Sequence, residues 1–147
     1  MKRASEMTPQ EIAQGSADAM WSTDRASQRL GMKIEHIAPG EATLSMEVTE
    51  AMTNGHENAH GGYIFTLADS AFAFACNTYN AVTVGQQASI NYVAPGRLGD
   101  VLTATAREAS RNGRSGVYDV HITNQDGRPV AHFRGLSRAI KGSYLPE

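Results

Sequence analysis

The sequence predicts an α+β domain in which an antiparallel β-sheet wraps around one long central α-helix, with an extra helix at the N-terminus. Three observations predict it. From Ile64 to Cys76 the chain is apolar on nearly every side at helical spacing, the mark of a buried helix. The stretches before and after it change to a period of two, as half-buried strands do. The turns between those stretches, Asn112-Gly113 above all, are short enough to join antiparallel neighbours. A chain of 147 residues is long enough for one domain with a real core, residues 1–147. The extra helix takes about residues 8–30 and the core about residues 31–141.

The N-terminal helix begins on a capping box, with Thr8 as the cap, Pro9 first and Glu11 third. Ile12, Ala13, Ala17, Met20, Trp21 and Leu30 give it an intermittent apolar stripe, so it packs on the body or covers an opening. Gly31 ends it. Met32 to Ile37 reads as a short strand, and Ala38-Pro39-Gly40 as a turn. In the next strand Ala42, Leu44, Met46 and Val48 alternate with Thr43, Ser45, Glu47 and Thr49.

A polar loop then leads through Gly61 and Gly62 into the central helix. Ile64, Leu67, Ala68, Ala71, Phe72 and Ala75 recur at helical spacing, and Phe65, Ala73, Phe74 and Cys76 fill the remaining circumference. Beyond it, Ala88, Ile90 and Tyr92 alternate with Ser89, Asn91 and Val93, and Pro95-Gly96-Arg97 turns the chain. Val101 to Arg107 is a strand with Leu102, Ala104 and Ala106 on one face. Asn112-Gly113 joins it to Gly116 to Thr123, and Asp126-Gly127 leads into Val130 to Ile140. The tail from Gly142 to Glu147 is expected to fray.

Composition narrows the function. A net charge of −2 with 41 % hydrophobic residues points to no nucleic-acid or membrane partner. No apolar run approaches a bilayer span, and Met1-Lys2-Arg3 has no apolar stretch behind it, so no signal peptide is expected. The lone Cys76 excludes an internal disulfide. Inside an apolar helix it reads as a small hydrophobe, in keeping with a cytoplasmic location.

Asp69 breaks the pattern. It is the one formally charged side chain between Asn58 and Gly96, where a chain with 19 % charged residues would ordinarily carry several. A carboxylate in apolar surroundings has its pKa raised, which suits a general base or nucleophile. The ordinary alternative is a cap or half of an ion pair, but no basic residue stands near it in sequence. Eight residues upstream, Gly61 and Gly62 open the helix, whose free N–H groups and positive dipole end suit a developing oxyanion. Eight residues at 1.5 Å rise separate acid and donor by about 12 Å, too far for one helix to serve one carbonyl. Two helices in a two-fold dimer remove that difficulty, so any such site is expected to be shared between chains.

His56-Glu57-Asn58-Ala59-His60 matches the H-E-x-x-H pattern of zinc proteases. That motif works only on a helix, where both histidines share one face. Here Asn54-Gly55 precedes it and Gly61-Gly62 follows it, so the segment is expected to be a loop and no metal is assigned. His36, His121 and His132 lie on expected strands with no ligand spacing.

Asn54-Gly55-His56 together with the run from His60-Gly61-Gly62 to Leu67-Ala68-Asp69 resembles the hot-dog-fold acyl-coenzyme A thioesterases, in the branch that serves phenylacetic acid degradation. Gly116 to Val120 and Phe133-Arg134-Gly135 resemble it too, and the likeness spans about residues 28–141. The resemblance implies a hot-dog fold, no cofactor, and hydrolysis of aryl-acetyl-coenzyme A in sites shared across a homodimer, often paired into a homotetramer. It puts the catalytic acid on Asp69 and the carbonyl-polarising N–H on Gly61. Asn54 and His60 take the orienting roles. Gly62 and Phe65 are the candidates to border the substrate, and Phe65, Phe72 or Tyr63 to wall the acyl pocket, with plain core as the alternative for each aromatic. Some relatives orient the water from the strand after the helix, where this chain offers Thr83, Gly85, Gln86 and Gln87. For the phosphates of coenzyme A the candidates are Arg111 and Arg114, which flank the hairpin turn, and secondarily Arg97; arginine's planar fork suits phosphate. Two other classes stand against this reading: a non-catalytic acyl-coenzyme A binder on the same fold, and the zinc hydrolase.

Overall fold

Small and branched apolar residues occupy the inward positions of the strands, and they let the sheet close tightly over one helix. In the computed structural model, which describes residues 2–147, the chain runs α1 (Pro9–Trp21), α2 (Arg25–Arg29), β1 (Lys33–Ala38), β2 (Glu41–Glu47), α3 (Gly61–Cys76), β3 (Thr83–Tyr92), β4 (Val101–Asn112), β5 (Ser115–Thr123) and β6 (Pro129–Ala139). The six strands form one antiparallel sheet in the order β1-β2-β4-β5-β6-β3. This is the α+β architecture that the hot-dog resemblance implied. Among the described residues no helix is long and apolar enough to cross a membrane.

The register explains the packing. Leu44, Ala104, Ile122 and Ala131 form one row across four strands, and Ala42, Ala106, Val120, Phe133 and Ile90 form the next. Leu67, Ala68, Ala71 and Ala75 of α3 lie against this floor with no exposed surface. Alanines on both sides bring the helix close, and each fully buried leucine or isoleucine contributes about 1.5–3 kcal/mol. The opposite face of the sheet is polar, with Glu41, Arg107, Asp119, Arg134 and Ser89 in a single cross-strand row.

The expected turns and cap are present. Thr8 and Glu11 make the capping box reciprocally, at 3.1 Å each way. Such a cap is worth about 1 kcal/mol. Gly113 has φ +61°, and Asn112 pairs with Ser115 across the hairpin.

Four expectations are corrected. The N-terminal helix does not run unbroken over residues 8–30. It stops at Trp21 and restarts on Asp24, whose carboxylate accepts from the Ser27 N–H at 3.0 Å. Strand β3 starts at Thr83, earlier than the alternation indicates, because a register shift between Gly85 and Gln87 interrupts the period. Strand β4 continues to Asn112 for the same reason, through a shift between Glu108 and Ser110. The C-terminal tail is tied down instead of frayed. Asn80 Oδ1 accepts from the N–H groups of Tyr144 and Leu145 at 3.0 and 2.8 Å. The Tyr144 hydroxyl donates to Asn77 Oδ1 at 2.6 Å, and Ala4 N–H donates to the Pro146 carbonyl at 2.7 Å.

Candidate active site

Helix α3 is less completely buried than its composition suggests. The sheet wraps only one side of it, and the stripe Gly62, Thr66, Asp69 and Ala73 faces outward; Gly62 and Asp69 are exposed in the single chain. The expectation of a buried carboxylate is corrected in that respect. The N-terminal helices cover part of the same side, through Trp21 on Phe74, with centroids 6.2 Å apart, and Ser27 on Ser70 at 2.8 Å. They leave Asp69 clear.

Asp69 faces a cavity of about 210 Å³ bordered by Phe72, Gly85, Gln86, Gln87 and Ala88. Its carboxylate makes no hydrogen bond and no ion pair among the described residues. The surrounding walls displace enough water to raise its pKa from the ordinary aspartate value. The register shift of β3 lies in this wall, where a bulge re-aims side chains beside a site. It brings Gln86 and Gln87 next to Asp69, whereas the Thr83 hydroxyl is spent on the Ala81 carbonyl at 2.8 Å. Cys76 is no rival nucleophile, since burial pushes its thiol up to about 12.

The other end of α3 is assembled from three segments. His60 is the N-cap, and its Nδ1 accepts from the Gly62 N–H at 3.0 Å. Gly62 therefore has its N–H engaged. The Gly61 N–H has no partner among the described residues and is the donor left free. Asn54 Oδ1 accepts from the N–H groups of His56 and Asn58 at 2.9 and 3.3 Å, which shapes the loop before the helix. Residue Tyr92, which sequence reasoning did not single out for the site, donates its hydroxyl to the Gly61 carbonyl at 2.9 Å. Only the fold brings β3 across to that turn, so nothing local in the sequence flagged it. Asn54, Gly61, Ile64 and Tyr92 border an open cavity of about 400 Å³. Tyr92 and Val93 beside it are 50 % and 55 % exposed.

The H-E-x-x-H segment is a loop with Glu57 at φ +61°, so His56 and His60 do not share a helix face. Among the described residues no group of three or more metal-ligating side chains converges.

The remaining candidates are spread out. The half-buried ring of Phe65 stands edge-on to Phe133, centroids 5.4 Å apart. The Arg111 guanidinium lies 3.5 Å from the centroid of Tyr79 and 3.7 Å from Glu108, near the C-terminal end of α3. Arg114 stands exposed at the hairpin tip, unpaired among the described residues. Arg97 sits in a turn fixed by its own N–H donating to Asp100 at 2.9 Å.

The thioesterase superfamily profile matches residues 56–131. The acyl-coenzyme A thioesterase PaaI of Escherichia coli strain K12 is 42 % identical over 132 residues, which is 90 % of this chain and 94 % of that protein. The solved PaaI structure superposes with a TM-score of 0.91, covering 92 % of this chain and 99 % of that one at 41 % identity. A hypothetical thioesterase of Streptococcus pneumoniae solved with coenzyme A superposes with a TM-score of 0.72 at 34 % identity, covering 76 % of this chain and 90 % of that one.

Proposed function

The chain belongs to the thioesterase superfamily, and from that premise we propose that it hydrolyses aryl-acetyl-coenzyme A, phenylacetyl or hydroxylated phenylacetyl, to the free acid and coenzyme A. The reading is of a cytoplasmic enzyme of phenylacetate degradation, working as a homodimer or a homotetramer of such dimers. The likeness to PaaI supports acyl-coenzyme A as substrate, and the description of the solved PaaI as a protein of the phenylacetic acid degradation operon supports the aryl-acetyl choice.

One observation carries the proposal. A free main-chain donor at Gly61 and an unpartnered carboxylate at Asp69 sit on one helix, about 12 Å apart along its axis, each facing its own cavity. Neither half completes acyl-transfer chemistry alone. A two-fold dimer brings Asp69 of one chain to Gly61 of the partner subunit and makes two equal sites. Strand β3 supplies the means, because it is an edge strand bonded only to β6 and exposed along most of its length. An uncovered edge of that kind is ready to pair with a second copy.

In such a site the Gly61 N–H of the partner subunit donates to the thioester carbonyl oxygen and stabilises the charge that builds there. Asp69 then acts in one of two ways. It attacks the carbonyl carbon, expelling the thiolate and leaving a mixed anhydride that water opens. Alternatively it takes the proton from a water whose oxygen attacks. In the second route the proton held by Asp69 passes to the departing sulfur, and in the first the expelled thiolate takes its proton from solvent, so coenzyme A ends as the free thiol in both. Asn54 and His60 hold the loop that presents the donor, and Gln86 and Gln87 stand where they orient the water. Phe65 and Phe72 offer apolar surface to the acyl group. Arg114, with Arg111, meets the phosphates of coenzyme A.

The test follows free thiol release from phenylacetyl-, hydroxyphenylacetyl- and straight-chain acyl-coenzyme A by wild type and Asp69→Asn. Aryl-acetyl turnover that disappears in the variant supports reaction and residue together. Turnover on straight chains alone keeps the chemistry and discards the pathway. Binding without turnover identifies a non-catalytic binder, and activity that a chelator abolishes revives the zinc reading.

A further inference from the structure

Phe72 lies one helical turn beyond Asp69, on the same side of α3, and forms the wall of the Asp69 cavity nearest the core. Two glycines determine where its ring rests. A Cβ on Gly135 would stand 2.7 to 2.8 Å from three atoms of the ring tip, and a Cβ on Gly85 would stand 3.0 Å from Cε2. Neither glycine has the positive φ that would require one for backbone reasons. Their missing side chains are explained by the ring that occupies the space. Behind the ring, Tyr118 and Phe133 hold it with centroids at 5.8 Å each, and both are buried. The one open side is the cavity beside Asp69.

We propose that Gly135 and Gly85 are specificity-determining positions: by letting Phe72 lie flat on the sheet, they keep the acyl cavity large enough for a ring-sized group. The inference rests on the reading of Asp69 as the catalytic carboxylate. A methyl group on Gly135 pushes the ring toward its open side and shortens the cavity. Large acyl groups then lose their place while small ones keep theirs.

The experiment compares kcat/KM for the largest and the smallest acyl-coenzyme A that the wild type turns over, so the ratio is read whether or not the larger group is aromatic. In Gly135→Ala the large-to-small ratio falls about tenfold or more, the size of effect a methylene has in a fitted pocket. Adding Phe72→Leu to the same chain brings the ratio back toward wild type, because leucine lacks the colliding ring tip. A merely structural role would lower both substrates together. Gly85→Ala, with one tight contact, shifts the ratio in the same direction by less, and it serves if Gly135→Ala does not fold. A ratio unmoved in the folded variants, or unrestored by Phe72→Leu, overturns the inference. Wild-type turnover that survives Asp69→Asn instead overturns the reading beneath it.

Discussion

The two ends of the site on α3 are built on opposite plans. At Gly61 the reactive group is a main-chain N–H, and three separated segments hold it: the Asn54 loop, the His60 cap and the Tyr92 hydroxyl. At Asp69 the candidate group is a side chain on a stiff helix, and nothing among the described residues bonds to it. A backbone donor has its direction fixed by its loop, so the loop must be rigid. A catalytic carboxylate needs its proton affinity raised, so its surroundings must lack partners. Each group is set in place by a different physical means, and under the proposed function each is half of a site that a second chain completes.

Removing the carboxylate gives the largest effect. Asp69→Asn lowers turnover by about 10²–10⁴-fold, the range for a positioned acid or base, while coenzyme A binding by calorimetry stays close to wild type. Next comes Gly61→Pro, which deletes the free N–H at a helix position that tolerates proline, and costs about 10²–10³-fold. Gly61→Ala keeps the N–H and adds only the crowding against Tyr92, 3.1 Å from the new Cβ, so comparison of the two isolates the donor.

Mixing those two inactive chains sharpens the comparison. Half of a random mixture is heterodimer, and each heterodimer has one site with native Gly61 and native Asp69. Activity therefore returns to about a quarter of wild type after subunit exchange. No recovery would mean that both groups act within one chain.

Tyr92→Phe removes one hydrogen bond to the Gly61 carbonyl, worth about 0.5–1.5 kcal/mol, and lowers kcat about tenfold or less. Smallest of all is the effect of Asp69→Asn on stability. Its raised pKa means that the folded chain binds more protons than the unfolded one in the window between the ordinary carboxylate value and the raised one. Stability contributed by this group thus falls as pH rises through that window. At neutral pH the asparagine variant melts at the wild-type temperature or slightly above. In the same window wild-type turnover falls as pH decreases, because the working form is the carboxylate.

Much of the fold was legible along the chain. The capping box at Thr8, the hairpin at Asn112-Gly113 and the period-two strands are local signals, and the structure has them where the residues indicate. The misses have three causes. The register shifts in β3 and β4 reset the alternation, so a period count stops short at Ala88 and Arg107. The break at Asp24 hides inside a run that still alternates helically. The tail at Tyr144 is held by Asn77 and Asn80, more than sixty residues away in sequence. At the site, Asp69 and Gly61 stood out through charge isolation and glycine placement. Tyr92 and the Phe72–Gly135 contact did not, and Gln86 was one of four candidates on its strand, because each depends on which residues land beside the helix.

The elements, the antiparallel sheet around the central helix and the candidacy of Asp69 and Gly61 could be read along the chain, because periodicity, turn chemistry and an isolated charge are properties of neighbouring residues. The tertiary structure decided which face of α3 stays open, which N–H remains free and how deep the cavity beside Asp69 runs. Those depend on contacts between segments far apart in the chain, made only when the sheet closes over the helix.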